Sequence, residues 1–239
     1  MKIKYATISE QGQRHINQDA VRVAYHPESD SAVAIVCDGM GGHAFGETAS
    51  NCVADTIFQY WESHQEVPDS EEKIKKSRIK ASVAIDEKTV ALGNKEMGTT
   101  MVMASIQGNK VTIAHVGDSR CYLLRKNHFD YDDINNRDKD HVVYRTQDHS
   151  SLSFGWEMVD RCFFSFKPEK AVPDVAQFDL EPGDRIFLCT DGVHKFVDPG
   201  ILKARLLDDK SPEVILDTLA FLCEKFSDDN YSAVLIIAE

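Results

Sequence analysis

The sequence predicts an α+β fold in which antiparallel sheets are covered by helix pairs. Three observations carry that expectation. Short β-type runs recur along the chain, and turn signals such as QGNK and VGDS join several of them as hairpins. Two long segments keep helical spacing instead. The helices fall between groups of strands rather than alternating with them one for one, which disfavours a doubly wound parallel sheet.

Taken in order, AVRVAY (20–25) and SAVAIVC (31–37) read as the first strands. From Glu47 to His64, Ala49, Val53, Ile57 and Tyr60 or Trp61 recur every three to four residues, the stripe of an amphipathic helix. From Ser70 to Leu92, Ile74, Ala81, Ile85 and Val90 predict a second helix, with Ser70 as its cap before two glutamates. Strands follow at TTMVMASI (99–106), KVTIAHV (110–116), RCYLLR (120–125) and DRIFLC (184–189). A third helix begins at Ser211-Pro212-Glu213, a cap followed by proline at the first helical position, and runs through Ile215, Leu219 and Leu222. YSAVLIIA (231–238) closes the chain as a strand. Residues 126–141, KNHFDYDDINNRDKDH, interrupt the strands as a solvated insertion. Their acids do not match a calcium loop, because Ile134 stands where the third oxygen ligand belongs. No repeat or low-complexity linker divides the chain, so residues 1–239 are expected to form one domain.

Composition narrows the function. The net charge of −12, from 39 acids against 27 bases, argues against a nucleic-acid backbone as partner, since binding there needs a basic face. No apolar stretch approaches the roughly 18 residues that span a bilayer. The start, MKIKYATISEQGQ, has no apolar signal core, so a cytoplasmic protein is expected, without membrane attachment. The six cysteines contain no CxxC pair, which fits buried free thiols in a reducing compartment.

Aspartates stand at the ends of strands. Asp38 ends SAVAIVC, Asp118 ends KVTIAHVG and Asp191 ends RIFLCT, while Asp19 and Asp229 precede AVRVAY and YSAVLIIA. Any one of them reads equally as a turn cap. Three of them, however, adjoin glycine, and strand ends of shared sheets can converge. Carboxylates brought together must either take up protons or be neutralised by cations. Oxygen donors without paired His or Cys select hard ions, Mg²⁺ or Mn²⁺. Two such ions about 3.5–4 Å apart are a standard device for displacement at phosphorus.

Arg14-x-x-Asn17-Gln18-Asp19, Asp38-Gly39-Met40-Gly41-Gly42-His43, Gly98-Thr99-Thr100, Val116-Gly117-Asp118-Ser119-Arg120, Thr190-Asp191-Gly192 and Asp229-Asn230 occur in that order. The ordered set resembles the metal-dependent Ser/Thr protein phosphatases (the PPM family, type 2C) in their compact bacterial form, from about residue 7 to the C-terminus. The resemblance implies a four-layer α-β-β-α sandwich of two packed antiparallel sheets flanked by helix pairs. It also implies Mg²⁺- or Mn²⁺-dependent hydrolysis of phosphoserine and phosphothreonine by a hydroxide bridging two metals. Asp38 would bridge the ions and the Gly39 carbonyl would ligate one of them, with the glycines letting the backbone turn tightly enough for it to face the site. Asp19, Asp191 and Asp229 would complete the second position, and Asp118 with Asp191 matches the place of a third, weaker ion. Asn230 would support Asp229 from behind. Arg14 offers a planar fork for the substrate phosphate, or is a surface charge. His43, with an ordinary pKa near the working pH, is a candidate proton donor to the leaving alkoxide, or a bystander. His15 and His194 read as local packing or surface residues. Phosphorylated proteins, a Ser/Thr kinase and its substrates among them, are the implied partners; the sequence does not set the oligomeric state, for which a monomer is only a guess.

The pattern departs from the family in two places. TDGVHKF carries Lys195 where an acid is usual, and a base there either weakens metal binding or helps to hold phosphate. After Asp148-His149-Ser150, only about forty residues lead to Asp191, without the longer flap's signature. Three rival readings stand beside the phosphatase. A dinucleotide module fails because an acid precedes the first glycine of GMGGHA and the third position is alanine. A two-metal nuclease lacks a basic stripe. A catalytically weak phosphoprotein-binding relative acting as an adaptor should have lost a bridging acid, and Asp38, Asp191 and Asp229 are all present.

Overall fold

Along Ser31–Met40 (β3), Ala32, Ala34 and Val36 face one side and Val33, Ile35 and Cys37 the other, and every one of them is buried. A strand apolar on both faces belongs in the middle of a layered structure. The computed structural model, which describes residues 1–40, 45–128, 141–153 and 155–239, bears this out.

One sheet is formed by Asp19–His26 (β2), β3, Gly98–Thr99 (β4), Met101–Gln107 (β5), Lys110–Val116 (β6), Phe163–Phe164 (β11) and Asp174–Asp179 (β12). β4 and β5 run along β3 as one strand broken at Thr100, and β2 pairs with the other edge of β3. The second sheet has the order Ile3–Glu10 (β1), Tyr231–Ala238 (β14), Arg185–Cys189 (β13), Arg120–Leu124 (β7), Val142–Arg145 (β8). Every pairing in both is antiparallel. Ser150–Ser153 (β9) and Trp156–Val159 (β10) form a separate hairpin.

The inward faces meet through Ala34, Val36, Val102 and Ile113 of the first sheet and Leu123, Leu188, Val234 and Ile236 of the second. Phe45–Glu62 (α1) and Glu71–Ala91 (α2) cover the first sheet through Val53, Ile57, Trp61, Ile74 and Ile85. Pro199–Leu206 (α4) and Pro212–Phe226 (α5) cover the second through Leu202, Leu206, Ile215 and Leu219. The layers are therefore α-β-β-α, as expected. Among the described residues, no helix is long and apolar enough to cross a membrane, and the six cysteines are free.

Local chemistry explains the helix limits. Ser70 accepts a hydrogen bond from the Lys73 amide at 3.2 Å, and Glu71 and Glu72 occupy the first turn. Ser211 precedes Pro212 at the start of α5 but makes no side-chain cap bond to the helix backbone. Between α1 and α2 lies a buried ion pair, Lys73 Nζ to Asp69 Oδ1 at 2.8 Å, beneath Trp61. The indole N–H of Trp61 donates to Ser105 Oγ across the helix–sheet interface at 2.8 Å.

One turn differs from expectation. QGNK does close the β5–β6 hairpin. VGDS does not make a hairpin, because β6 and β7 belong to different sheets. Gly117, at φ 109°, with Thr100 against the position a Cβ would take (2.6 Å), diverts the chain across the sandwich. Further elements had no sequence-based expectation: β1, β8 to β12, and the short helix Asp191–His194 (α3) with α4 behind it. Most of the polar insertion, residues 129–140, lies outside the described residues.

Candidate metal centre

The five aspartates gather where the ends of both sheets meet. Asp19 and Asp38 are direct cross-strand partners at the end of the β2–β3 ladder. The Asp38 amide donates to Thr100 Oγ1 at 2.9 Å, and the Asp38 carbonyl accepts from the Thr100 amide and Thr99 Oγ1, each at 2.9 Å. The break at Thr100 thus anchors the strand end that carries Asp38. Thr190, at the tip of β13 in the other sheet, donates from its hydroxyl to Asp19 Oδ2 at 3.0 Å. That bond ties the two sheets together at the acids.

Two glycines explain how the segments come so close. A Cβ on Gly192 would lie 1.9 Å from the Asn230 carbonyl oxygen and 3.4 Å from the Asp229 side chain. Only glycine lets α3, which begins with Asp191, lie against the loop that carries Asp229. A Cβ on Gly39 would lie 2.1 Å from the Gly46 carbonyl oxygen and 2.7 Å from that of Gln18. Gly39 remains within β3, so its role is this close approach of backbones, not the tight turn anticipated. A Cβ on Gly46 would come within 2.6 Å of the Gly39 carbonyl oxygen, so both glycines are needed there.

The loop before Asp19 is held from the far end of the chain. Asn230 Nδ2 donates to the carbonyls of Gln11 (2.7 Å) and Ile16 (2.9 Å), and Asn230 Oδ1 accepts from the Gln18 amide at 2.9 Å. Its side chain therefore supports the loop bearing Arg14 and Asp19, while only its backbone N–H reaches Asp229 Oδ1, at 2.8 Å. Asn17 Oδ1 accepts from the Asp19 amide at 3.1 Å. Arg14, half exposed, donates to the Asp228 carbonyl and to Asp229 Oδ2, both at 2.9 Å. It sits at the mouth of the acid cluster and is engaged with one of the acids. His43 lies outside the described residues. His15 is exposed.

Crowded carboxylates resist ionisation. Burial raises the pKa of Asp38 far above the usual range, reinforced by the charges of Asp19, Asp191, Asp118 and Asp229. Burial pushes Asp19 up to about 7, although hydrogen bonds from Ser232 and Thr190 oppose the rise. Burial and Asp191 raise Asp229 as well. Apart from Arg14 on Asp229, no base meets Asp19, Asp38 or Asp229 among the described contacts. This oxygen-only, under-compensated donor set fits hard divalent cations at Asp19, Asp38, Asp191 and Asp229.

Asp118 is placed differently. Lys195 Nζ lies 2.9 Å from Asp118 Oδ2, 3.0 Å from Asp191 Oδ2 and 3.1 Å from Glu157 Oε2 on β10. His194, the residue before it, is buried and donates from Nε2 to the Asp118 carbonyl at 2.9 Å. Burial lowers its pKa to about 4, so it is neutral at pH 7.

Sequence reasoning missed Glu157, and also a second cluster behind the Gly117 turn. The ligating atoms of His115, His149 and Asp174 lie within 4.8 Å of one another, a closeness that no three acids of the aspartate cluster reach among the described residues. His149 and Asp174 are already engaged, whereas His115 Nδ1 is buried without a hydrogen bond among the described residues. The Gly117 amide donates to His149 Nδ1 at 3.2 Å, His149 Nε2 faces Asp174 Oδ2 at 3.0 Å, and Arg161 Nη2 lies 2.9 Å from Asp174 Oδ1. The cluster braces the turn that presents Asp118. The pairing of β12 with β6 puts Asp174 opposite His115, and no local pattern announces it.

Comparisons with known proteins follow the same lines. A family model described as protein phosphatase 2C matches residues 9–235. The Ser/Thr phosphatase Stp of Listeria welshimeri is 34% identical over 119 residues, covering 48% of this chain and 46% of that protein. The Ser/Thr protein phosphatase PstP of Mycobacterium tuberculosis is 28% identical over 215 residues, covering 84% of this chain and 38% of that protein. The matched part thus spans about half the length of the Listeria relative and less of PstP. Among solved structures, M. tuberculosis PstP/Ppp superposes with a TM-score of 0.80 at 24% identity, covering 99% of each chain. A PstP catalytic domain in complex with two manganese ions gives 0.78, also at 24% identity and 99% coverage of each chain.

Proposed function

Because the chain belongs to the protein phosphatase 2C family, we propose that residues 1–239 form one catalytic domain that hydrolyses phosphoserine and phosphothreonine in proteins with Mg²⁺ or Mn²⁺. The observation that carries this reading is the union of Asp19 and Asp38 from one sheet with Asp191 and Asp229 from the other, drawn together by the Thr190–Asp19 bond and the Gly192–Asn230 contact. Asp19, Asp38, Asp191, Asp229 and the Gly39 carbonyl would hold the ions. Two divalent cations there supply a lowered pKa for attacking water and a counter-charge for the phosphate.

The remaining work belongs to the chain itself. Arg14, hinged on the Asp228 carbonyl and Asp229, presents a guanidinium at the mouth of the cluster, where a phosphate dianion can compete for it. The Asn230 clamp keeps the loop bearing Arg14 and Asp19 in register with Asp229. The Thr99 and Thr100 bonds to the backbone of Asp38 fix its carboxylate at the strand end. Positioning of this kind, rather than covalent chemistry, is what phosphoryl transfer asks of a protein. Stp and PstP bear the name of Ser/Thr phosphatases, which supports phosphorylated proteins, a Ser/Thr kinase and its targets among them, as the partners.

The test is hydrolysis of a phosphothreonine peptide by the purified protein. It should require Mn²⁺ or Mg²⁺ and vanish in Asp38→Asn. Activity that persists under chelation sinks the metal-dependent reading, and phosphopeptide binding without turnover replaces it with the adaptor.

A further inference from the structure

Lys195 is the C-cap residue of α3, four residues after Asp191 and still in right-handed helical conformation, so helical geometry returns its side chain over that acid. An ammonium has three N–H donors and no acceptor. Here three carboxylate oxygens surround it, from Asp118, Asp191 and Glu157, at 2.9, 3.0 and 3.1 Å. Those acids come from three separate segments: the sheet-crossing turn, α3 and the β9–β10 hairpin. The other oxygen of Glu157, Oε1, accepts from Ser150 Oγ at 2.7 Å, which ties both strands of the hairpin to the same carboxylate. A divalent ion shared by Asp118 and Asp191 would have to displace the ammonium from Oδ2 of each, or sit on their remaining oxygens against its charge. Those two acids therefore do not fit a third metal in this chain.

We propose that the Lys195 ammonium is a built-in cation that replaces a third divalent ion between Asp118 and Asp191 and, through Glu157, latches the β9–β10 hairpin to the rim of the metal centre. The inference rests on the reading of Asp19, Asp38, Asp191 and Asp229 as ligands of two ions. It gives Lys195 a consequence for the hairpin that a mobile metal ion would not have, since the latch is covalently part of α3 and independent of metal concentration. The short hairpin thereby stays docked in the metal-free protein.

Mn²⁺ binding to the full chain, counted by equilibrium dialysis and followed by electron paramagnetic resonance, tests the first half. The wild type should saturate with two ions, Lys195→Met should admit a third, weaker one, and Lys195→Arg should restore the count of two. Three ions on the wild type, or two on a folded Lys195→Met, overturn the inference while leaving the two-metal centre intact. A wild type that binds none overturns the two-metal reading itself, and the inference with it. Amide hydrogen exchange of the metal-free chain tests the second half and does not depend on Lys195→Met folding. Glu157→Gln keeps the contacts of Lys195 to Asp118 and Asp191, so the ion count should stay at two while the β9–β10 amides exchange at least tenfold faster. Unchanged exchange there refutes the latch.

Discussion

Replacing Lys73 by methionine should destabilise the protein by about 4 kcal/mol. The Lys73 and Asp69 side chains are 2% and 6% exposed, and the ammonium sits 2.8 Å from Asp69 Oδ1 and 3.1 Å from the Val67 carbonyl. Among the described residues, Asp69 Oδ2 is buried without a hydrogen bond and Lys73 is the one counter-charge this carboxylate has. Methionine keeps most of the stem that packs on Trp61 but abandons the carboxylate. Breaking a buried pair from one side costs about 3–5 kcal/mol, and the lost ammonium contact with Trp61, 4.7 Å from its ring centre, adds about 1 kcal/mol or less. Removing both charges together is different in kind. Lys73→Met with Asp69→Leu leaves no buried charge, and its cost should fall to about 1–2 kcal/mol, mainly from repacking. Urea denaturation followed by circular dichroism measures both, with a common m-value as the check on two-state behaviour. At roughly 2–4 °C per kcal/mol for a chain of this size, the single variant should melt about 8–16 °C lower. A single variant costing under 1 kcal/mol, or a double variant costing as much as the single changes added, refutes the reasoning.

Other outcomes follow from the site. Gly192→Ala puts a methyl 1.9 Å from the Asn230 carbonyl oxygen; it should cost about 3 kcal/mol in urea unfolding and remove phosphatase activity. Asn230→Ala strands the Gln11 and Ile16 carbonyls and the Gln18 amide, and should cost about 3 kcal/mol while exchange at the Gln18 amide accelerates. His194, neutral in the fold with a pKa of about 4, lends stability that is present above its unfolded value of about 6.5 and lost as pH falls toward 4. His194→Gln should flatten the melting temperature across that window relative to wild type. Mn²⁺ at a hundred times its dissociation constant should raise stability by about 2.7 kcal/mol for each ion bound at pH 7.5, and EDTA should reverse the gain in a thermal melt.

Much of this architecture is written in the sequence, and the exceptions have physical reasons. SAVAIVC and YSAVLIIA are apolar on both faces because each lies between a helix layer and the opposite sheet, and such runs announce themselves. DVAQFD does not. As an edge strand it has no fully buried residue, and its partner β6 lies nearly sixty residues away. MKIKYATISE starts as an alternation but shifts phase at Tyr5-Ala6, so its strand character shows once its pairing with β14 is known. The five aspartates were legible as a set because each adjoins a strand end. What each does was legible only in part. Lys195 stands out in TDGVHKF, but its three acids come from segments whose meeting no spacing encodes, and Glu157 carries no local mark. VGDS looks like a hairpin until the φ of Gly117 and the contact with Thr100 show the chain leaving its sheet.

That crossing has a mechanical meaning. Asp19 and Asp38 ride on one leaf of the sandwich, Asp191 and Asp229 on the other, and Asp118 on the strap that carries the chain from β6 to β7. Cations seated among Asp19, Asp38, Asp191 and Asp229 would act as rivets through both leaves at one end of the seam. Loading the protein should then slow amide exchange at Val234 and Ile35, buried between or behind the leaves, as the loss of a shearing motion. In such an arrangement the ions that do chemistry also decide how readily the two halves of the core slide apart.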